Sequence, residues 1–309
     1  MIWVVGNVDG NYYKEPFSKG VLARSLRVSN LGLDQAYDIA NDIENKLIEK
    51  NIREISVDEL SRYIFDYLNK IDSTVANKYK RWRSLRKSDE PLIILIGGAS
   101  GVGTSSMAFE LANRLGLKNI ISTDMIREVM RKIISKELNP VIHKSSFDAH
   151  ESIRTPAIRV DAVIEGFISH VDVVNVGIEA IVERSIKEGI SIIIEGVHVV
   201  PGFIREDLIN QGNLIMFTLT VDDEEIHKQR FYTRCRQPWV KRSLEHYMEN
   251  FDTIRKTQDF LISQAEIHDT RIINNVDFRH TIDLMVNDII KEFGGETNDK
   301  QESIRDNDQ

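Results

Sequence analysis

Residues 91–106, PLIILIGGASGVGTSS, decide the fold of this chain. An apolar run leads into a glycine-rich loop and then an amphipathic helix, which is the context of a phosphate-binding loop. Counted from Gly98, the spacing is G-x-x-x-x-G-K-[ST], with Thr104 in place of the lysine. The backbone amides of such a loop and the N-terminus of the helix favour the binding of phosphate. Ser105 occupies the position from which a hydroxyl reaches Mg²⁺. We expect nucleotide phosphates to be bound by Gly98, Ala99, Ser100, Gly101, Val102, Gly103, Thr104, Ser105 and Ser106.

Five apolar runs follow one another from residue 91 onward, separated by long helical stretches. They are LIILI, NIIS, SIIIE, LIMFTLT and RIIN. Short runs rich in β-branched residues are typical of buried parallel strands. The alternation predicts an α/β domain with a doubly wound, five-stranded parallel sheet. Because ligands bind beyond the carboxyl ends of such strands, the polar motifs that follow these runs are expected to form one site.

The first 88 residues have a different pattern, short strands followed by helices. IWVVG and YYKEPF flank Asp9-Gly10, which favours a hairpin turn. Ser18 is expected to cap a first helix, and LDQAYDIANDIENKLIEK predicts a second. A third helix is expected to begin at Ser56, whose spacing to Glu59 is that of a capping box. These elements predict a small, mostly helical α+β domain.

The domain boundary is expected near residue 88, where a basic stretch ends before Pro91. We assign the small domain to 1–88 and the α/β domain to 89–294. The polar residues 295–309 are expected to form a disordered tail.

The composition favours a cytoplasmic enzyme. The chain has 309 residues, a net charge of −8 and 41% apolar residues, so it can bury a core and is not expected to bind nucleic acid or membranes. Its one cysteine, Cys235, allows no internal disulfide. No signal peptide or membrane-spanning run is evident.

The second motif, STDMIREVMRKIIS at 122–135, places one carboxylate and two guanidiniums on one helix edge. Asp124 could orient an acceptor hydroxyl, while Arg127 and Arg131 bind an anionic substrate. The alternative is an intrahelical Asp–Arg salt bridge on a solvated face, which contributes little. The opposite side, expected to be buried, consists of Ile126, Val129, Met130, Ile133 and Ile134.

The third motif, SIIIEGVHVVPG at 191–202, ends a buried strand with Glu195. A carboxylate there can bind Mg²⁺ directly or through water. His198 could contact substrate, although a lone histidine is more often structural.

The fourth motif, HKQRFYTRCRQPWVKR at 227–242, is strongly basic in an acidic chain. Arg230, Arg234 and Arg236 could form a lid over the transferring phosphate, with Arg234 supplying the charge that the missing lysine would carry. The alternative is a solvated basic patch.

These motifs resemble the archaeal 2-phosphoglycerate kinase family. The resemblance rests on LIGGASGVGTSS, STDMIREVMRKIIS, IIEGVHVVPGF and RFYTRCR, and it covers nearly the whole chain. Threonine in the lysine position resembles that family's own loop. The resemblance implies a P-loop kinase fold, Mg²⁺, and ATP-dependent phosphorylation of 2-phosphoglycerate to 2,3-bisphosphoglycerate. It also implies that NNVDFRHTIDLM (274–285), with Asn275, borders the adenine.

The first 88 residues resemble an ATP-cone, through DGNYYKEPFSKGVLARSLRVSNL, AYDIANDIENKL and ISVDELSRYIFDYL. That resemblance implies a regulatory nucleotide, whereas a helical cap without a ligand is the alternative. Two other functions stay open for the whole chain. One is a kinase of another small phosphorylated acceptor, such as an inositol phosphate, and the other is a non-catalytic nucleotide sensor. The oligomeric state also stays open, a homo-oligomer included.

Overall fold

The computed structural model describes residues 1–8, 10–153, 161–236 and 243–294. Asp9 of the predicted turn, the basic segment beyond residue 236 and the tail 295–309 lie outside these ranges. The chain divides into two compact units. Of the described residues, Met1–Ser88, Asn113–Gly116 and those from Val286 to residue 294 belong to the first unit, and the second comprises Asp89–Ala112 and Leu117–Met285.

The first unit has a three-stranded sheet with four helices. Strands β1 and β2 form the predicted hairpin, with Trp3 paired to Pro16, and β3 joins β1 in parallel. Its elements are β1 Trp3–Val8, β2 Asn11–Pro16, α1 Lys19–Leu26, α2 Leu33–Glu49, β3 Glu54–Ser56, α3 Val57–Ile71 and α4 Ser73–Leu85.

The capping box at α3 is confirmed. The Glu59 backbone amide donates to Ser56 Oγ over 3.2 Å, and the Ser56 amide donates to Glu59 Oε2 over 3.0 Å. Most of the basic stretch before residue 88 forms α4, a helix that was not predicted from the sequence. Tyr79 and Trp82 are buried there, and Tyr79 belongs to the core of this unit.

The second unit is built on the predicted parallel sheet. The strand order is β5-β6-β4-β7-β8, and every neighbouring pair is parallel. The elements after residue 88 are β4 Leu92–Gly98, α5 Thr104–Leu115, β5 Asn119–Ser122, α6 Thr123–Ile133, α7 Ala162–Glu188, β6 Ile192–Glu195, α8 Glu206–Ile209, β7 Asn213–Thr220, α9 Glu224–Cys235, α10 Leu244–Glu249, α11 Phe251–Ile267, β8 Arg271–Asn274 and α12 Phe278–Phe293. Of these, the end of α5 from Asn113 and the end of α12 from Val286 are grouped with the first unit.

Strand β4 occupies the centre of the sheet, and all seven of its residues are buried. Ile93 and Leu95 pack on one face against residues of α6 and α7. Helix α11 also packs against β4 and β7. The strand register sets Ile96 beside Glu195, so the loop after β4 and the carboxylate that ends β6 meet at one edge of the sheet. Within the described ranges, no helix is long and apolar enough to cross a membrane.

The predicted buried side of α6 is partly wrong. Ile126 is buried, but Val129 and Ile133 are 60% and 73% exposed. The helix lies so close to α7 that a Cβ on Gly177 would come within 2.4 Å of Ile126. This close approach buries the narrow line of α6 that faces α7 and leaves the flanking apolar side chains outside it.

Candidate active site

The glycine-rich loop after β4 is held in a conformation that few residues other than glycine adopt. Gly101 and Gly103 have φ angles of +90° and +98°, which allow successive amides to turn inward. A Cβ on Gly101 would lie 2.6 Å from the Phe231 ring of α9. His227 Nε2 also contacts the Ser100 carbonyl at 2.8 Å. The loop therefore rests directly on α9.

The imidazole of His227 is the neutral donor in this contact. Burial lowers the pKa of His227 to about 4. A carbonyl can only accept, so the proton is on Nε2. Arg255 Nη1, at 3.5 Å, faces the other ring nitrogen and donates to the Val221 carbonyl at 2.6 Å.

Thr104, which occupies the lysine position, is bonded to Glu195. Its hydroxyl donates to Glu195 Oε2 over 2.7 Å, and the Ser105 hydroxyl donates to Oε1 over 3.0 Å. Burial raises the pKa of Glu195, while the two hydroxyls and the charge of Arg234 act in the opposite direction. Both side chains that begin α5 are thus oriented by the carboxylate that ends β6.

A cavity of about 520 Å³ opens above the loop. It brings together residues from the ends of β4, β5 and β6 with α9 and the segment after β8. Its lining consists of Gly98, Ala99, Ser100, Gly101, Gly103, Thr104, Ser105, Ser106, Ser122, Asp124, Arg127, Ser145, Ser146, Glu195, Gly196, Val197, Arg230, Thr233, Arg234, Asn275 and Phe278. Val102 is not part of the lining, because its side chain is buried and its carbonyl faces Arg230 and Asn275.

Asp124 and Arg127 form one wall of the cavity, at the start of α6. Ser122 caps this helix through the Asp124 amide, at 3.2 Å. Arg127 Nε lies 3.5 Å from Asp124 Oδ1, and Arg127 Nη1 donates to the Lys144 carbonyl over 2.7 Å. The exposed carboxylate and the half-buried guanidinium both border the cavity, as the sequence predicts.

Besides Val102, three predicted site residues lie outside this lining. Arg131 pairs with Glu128 at 2.8 Å, whereas the Asp–Arg pair that was the alternative for this helix is the one between Asp124 and Arg127, at 3.5 Å. Arg236 follows the last turn of α9 and is exposed. His198 is completely buried between Thr123 and His170. It lies beneath the cavity wall and contacts these two residues, where the sequence suggested a contact with substrate.

Arg230 and Arg234 border the cavity from α9 but have different surroundings. Arg230 Nη1 donates to the Val102 carbonyl over 2.6 Å, and Nη2 donates to the Asn275 carbonyl. Arg234 is more exposed, with its guanidinium 5.8 Å from the centre of the Tyr247 ring. Arg230 therefore joins the phosphate loop to the segment after β8, whereas Arg234 faces the cavity from the end of the helix.

Asn275 is buried at the same junction. Its backbone amide donates to the Thr220 carbonyl over 2.8 Å, and its side-chain Nδ2 donates to the Val102 carbonyl over 2.7 Å. These bonds connect the segment after β8 both to β7 and to the phosphate loop.

Several lining residues were not singled out from the sequence. Ser145 and Ser146 come from a stretch of short turns without a recognisable motif, and Gly196 and Val197 lie beside Glu195 but carry no polar side chain that would mark them. Phe278 is 44% exposed and presents a ring at the cavity. Phe278 belongs to the segment 274–285, which the family resemblance places beside the adenine, but no pattern within that segment distinguishes its ring.

Among the described residues, no group of three or more His, Cys, Asp or Glu side chains could hold a metal ion. Mg²⁺ at a phosphate site needs fewer protein ligands, since phosphate oxygens and water complete its shell. The hydroxyl of Ser105, directed at a buried carboxylate at 3.0 Å, has the chemistry of such a site.

Comparison with known proteins identifies both parts of the chain. Residues 8–88 match the ATP cone domain. The 2-phosphoglycerate kinase of Methanothermobacter thermautotrophicus is 53% identical over 292 residues, covering 94% of this chain and 95% of that protein. The 2-phosphoglycerate kinase of Methanopyrus kandleri is 47% identical over 279 residues, covering 90% and 85%. With an N-terminal ATP-cone, a five-stranded parallel sheet and identity at this level over nearly its whole length, the chain belongs to the 2-phosphoglycerate kinase family of archaea.

Proposed function

We propose that this protein is a cytoplasmic 2-phosphoglycerate kinase that makes 2,3-bisphosphoglycerate from ATP. The observation that carries the proposal is the juxtaposition, in one cavity, of a phosphate loop bonded to Glu195 and an acceptor wall formed by Asp124 and Arg127. In the transfer, the oxygen on carbon 3 of the acceptor bonds to the γ-phosphorus. The bond from that phosphorus to the β–γ bridging oxygen breaks, ADP leaves, and the hydroxyl proton passes to Asp124.

The nucleotide side of the site is assigned to the loop after β4. Its inward-turned amides bind the phosphates, supported by the positive φ angles of Gly101 and Gly103. Asn275 fixes the segment that borders the base, and the exposed ring of Phe278 is suited to stacking on it. Ser105 and Glu195 would hold Mg²⁺, which supplies positive charge at the phosphate oxygens when bound.

The acceptor side is assigned to Asp124 and Arg127. The carboxylate is exposed at the cavity, where it can orient the acceptor hydroxyl. A guanidinium binds a phosphate or carboxylate with two parallel hydrogen bonds, and Arg127 is the lining arginine on this wall. Arg131 is not included, because it pairs with Glu128.

The missing lysine charge is assigned to Arg234. Of the three arginines in the lining, Arg127 donates to the Lys144 carbonyl and Arg230 to those of Val102 and Asn275. Arg234 projects into the cavity from the end of α9, close enough to act on the pKa of Glu195. A guanidinium there stabilises the charge that develops on the transferring phosphoryl group.

The test is ADP release by the full-length protein with a panel of acceptors. We expect turnover with 2-phosphoglycerate to be far faster than with 3-phosphoglycerate, inositol phosphates or water. Asp124→Asn, which keeps the size of the side chain, controls for contaminating ATPase. Preference for an inositol phosphate would reassign the acceptor. Equal, slow hydrolysis with and without every acceptor would support the nucleotide sensor instead.

The N-terminal unit is proposed to bind a regulatory nucleotide. The match of residues 8–88 to the ATP cone domain supports this assignment. We expect ATP or dATP to change the activity of the full chain but not that of a chain lacking residues 1–88. If the truncated chain folds but no longer binds ATP at residues 98–106, the first unit is part of the active site and the regulatory assignment is wrong.

A further inference from the structure

Two buried histidines lie beneath the acceptor wall, where the proposed transfer does not use them. His198 follows β6 and His170 lies on α7, and neither side chain is exposed. Their rings stack with centroids 4.8 Å apart and planes 17° from parallel. His198 Nε2 is 2.8 Å from His170 Nδ1, and His198 Nδ1 is 2.8 Å from Thr123 Oγ1. The far nitrogen of His170, Nε2, is 3.4 Å from the Lys144 carbonyl oxygen.

The Lys144 carbonyl, at one end of this series of hydrogen bonds, fixes the direction of each of them. It can only accept, so His170 carries its proton on Nε2. A neutral His170 then has a lone pair on Nδ1, which requires the proton of His198 to be on Nε2. His198 Nδ1 is left to accept from the Thr123 hydroxyl. Both rings are neutral, since burial lowers the pKa of His170 to about 4 and that of His198 well below its usual value.

Thr123 and Lys144, the two ends of the hydrogen-bond series, belong to two different walls of the cavity. Thr123 lies between Ser122 and Asp124, both in the lining. Its hydroxyl approaches Gly196 so closely that a Cβ there would be 2.1 Å away. Lys144 precedes Ser145 and Ser146, which are also in the lining.

The Lys144 carbonyl links the histidine pair to Arg127, the arginine proposed to bind the acceptor. It accepts from Arg127 Nη1 at 2.7 Å as well as from His170. The histidine pair therefore connects the start of α6, the 144–146 segment and Arg127.

We propose that His198 and His170 are positioning residues that fix Thr123 and the Lys144 carbonyl, and through them hold Asp124 and Arg127 in register with the acceptor. This inference rests on the proposed function. It predicts that disrupting the pair weakens acceptor use and leaves the nucleotide side nearly unchanged. Misplacement of a substrate-binding group by about 1 Å can cost roughly 100-fold in rate.

The first experiment compares three substitutions on α7. His170→Leu removes both hydrogen bonds, and we expect kcat/KM for 2-phosphoglycerate to fall about 10- to 100-fold while KM for ATP changes less than about twofold. His170→Gln should recover much of the loss, because an amide, like imidazole, carries an acceptor and a donor on either side of one carbon. Val174→Ala, one turn along the same buried face, is the control for lost packing.

A purely structural pair would give a different result. His170→Leu and Val174→Ala would then both lower the melting temperature, and neither would change KM for the acceptor. That outcome overturns the proposal. A wild-type protein without activity on 2-phosphoglycerate would contradict the proposed function instead, which separates the two failures.

A second measurement does not depend on a folded variant. Nitrogen-15 NMR of the wild-type imidazoles at pH 7 should show both rings neutral, with the proton of each on Nε2. A proton on Nδ1 of either ring, or a charged ring, would overturn the proposal whatever the kinetics.

Discussion

At the scale of single residues, the phosphate loop replaces a charged side chain with a hydroxyl. Thr104 is oriented by Glu195 and cannot offset charge on the phosphates. A lysine at this position normally contacts the β- and γ-phosphates, so the positive charge has to come from elsewhere in the cavity. Arg234, at the end of α9, is suited to that role.

Arg234→Ala should lower kcat by about 10²–10³, the usual cost of removing one preorganised charge-stabilising donor. ATP affinity should change much less, because the loop amides remain. Arg234→Lys should recover part of the loss, since a point charge does not reproduce a two-pronged guanidinium. Steady-state kinetics and nucleotide titration measure both effects. Arg236→Ala, outside the lining, is the matched control, and wild-type kcat in Arg234→Ala would exclude this role.

Glu195→Gln separates the charge of this residue from its hydrogen bonds. The amide oxygen can still accept from Thr104 or Ser105, but it is a poorer ligand for Mg²⁺. We expect a lower kcat and a higher Mg²⁺ requirement, measured by titrating Mg²⁺ at saturating ATP. The variant should be at least as stable as the wild type at pH 7, because burial raises the pKa of Glu195 and so disfavours its ionised form. A marked loss of stability together with normal Mg²⁺ dependence would assign the carboxylate a structural role.

The residues predicted from the sequence are those that follow a strand within a recognisable motif. Asp124 and Glu195 border the cavity because the ends of parallel strands converge, whereas Arg234 reaches it from the end of α9. His198 belongs to the same motif as Glu195, but its side chain points beneath the cavity wall. The direction of a side chain in a loop cannot be predicted from the residues around it. Ser145 lies in a segment of short turns, where placement depends on contacts with distant residues.

At the scale of elements, the loop after β4 depends on the helix beneath it. Gly101→Ala would drive a methyl group into the Phe231 ring and toward His227 Nε2, which would be 3.0 Å away. We expect this variant to lose ATP binding, measured by calorimetry. Gly116→Ala is the matched control, because it also has a positive φ, +68°, but nothing within 4 Å of the added Cβ. That variant should lose about 1 kcal/mol of stability and keep its affinity. Equal ATP affinity in the two variants would show that contact with α9 does not determine the conformation of the loop.

The five strands of the sheet could be predicted because each is short, apolar and followed by a polar motif. Helix α4 was not, because basic residues predominate in its second half and its buried side chains, among them Tyr79 and Trp82, are few. On α6, the apolar pattern alone overestimates the buried face, because the close approach at Gly177 is not visible in the sequence of either helix.

At the scale of the whole molecule, buried histidines make stability depend on pH. Burial lowers the pKa of His170 and His227 to about 4 from 6.5, so the unfolded chain binds their protons first as pH falls. Their contribution is complete above pH 6.5 and is lost toward pH 4, at up to about 3 kcal/mol each. We expect the free energy of unfolding, from urea titrations, to fall across that interval. His170→Gln should reduce the slope, whereas Val174→Ala, which changes packing but removes no titrating group, should not. An unchanged slope in the first variant would contradict this account.

The central place of β4 in the sheet determines when the nucleotide site can exist during synthesis. Leu92 leaves the ribosome early, but the partners of β4 begin only at Ile192 and Asn213, after the whole of α7 has been made. Until then the nascent chain exposes LIILI unpaired, an apolar segment of the kind that aggregates. Pairings this distant in sequence also form slowly. A ribosome-bound chain that ends before β7 is therefore expected neither to bind ATP nor to protect β4 from solvent.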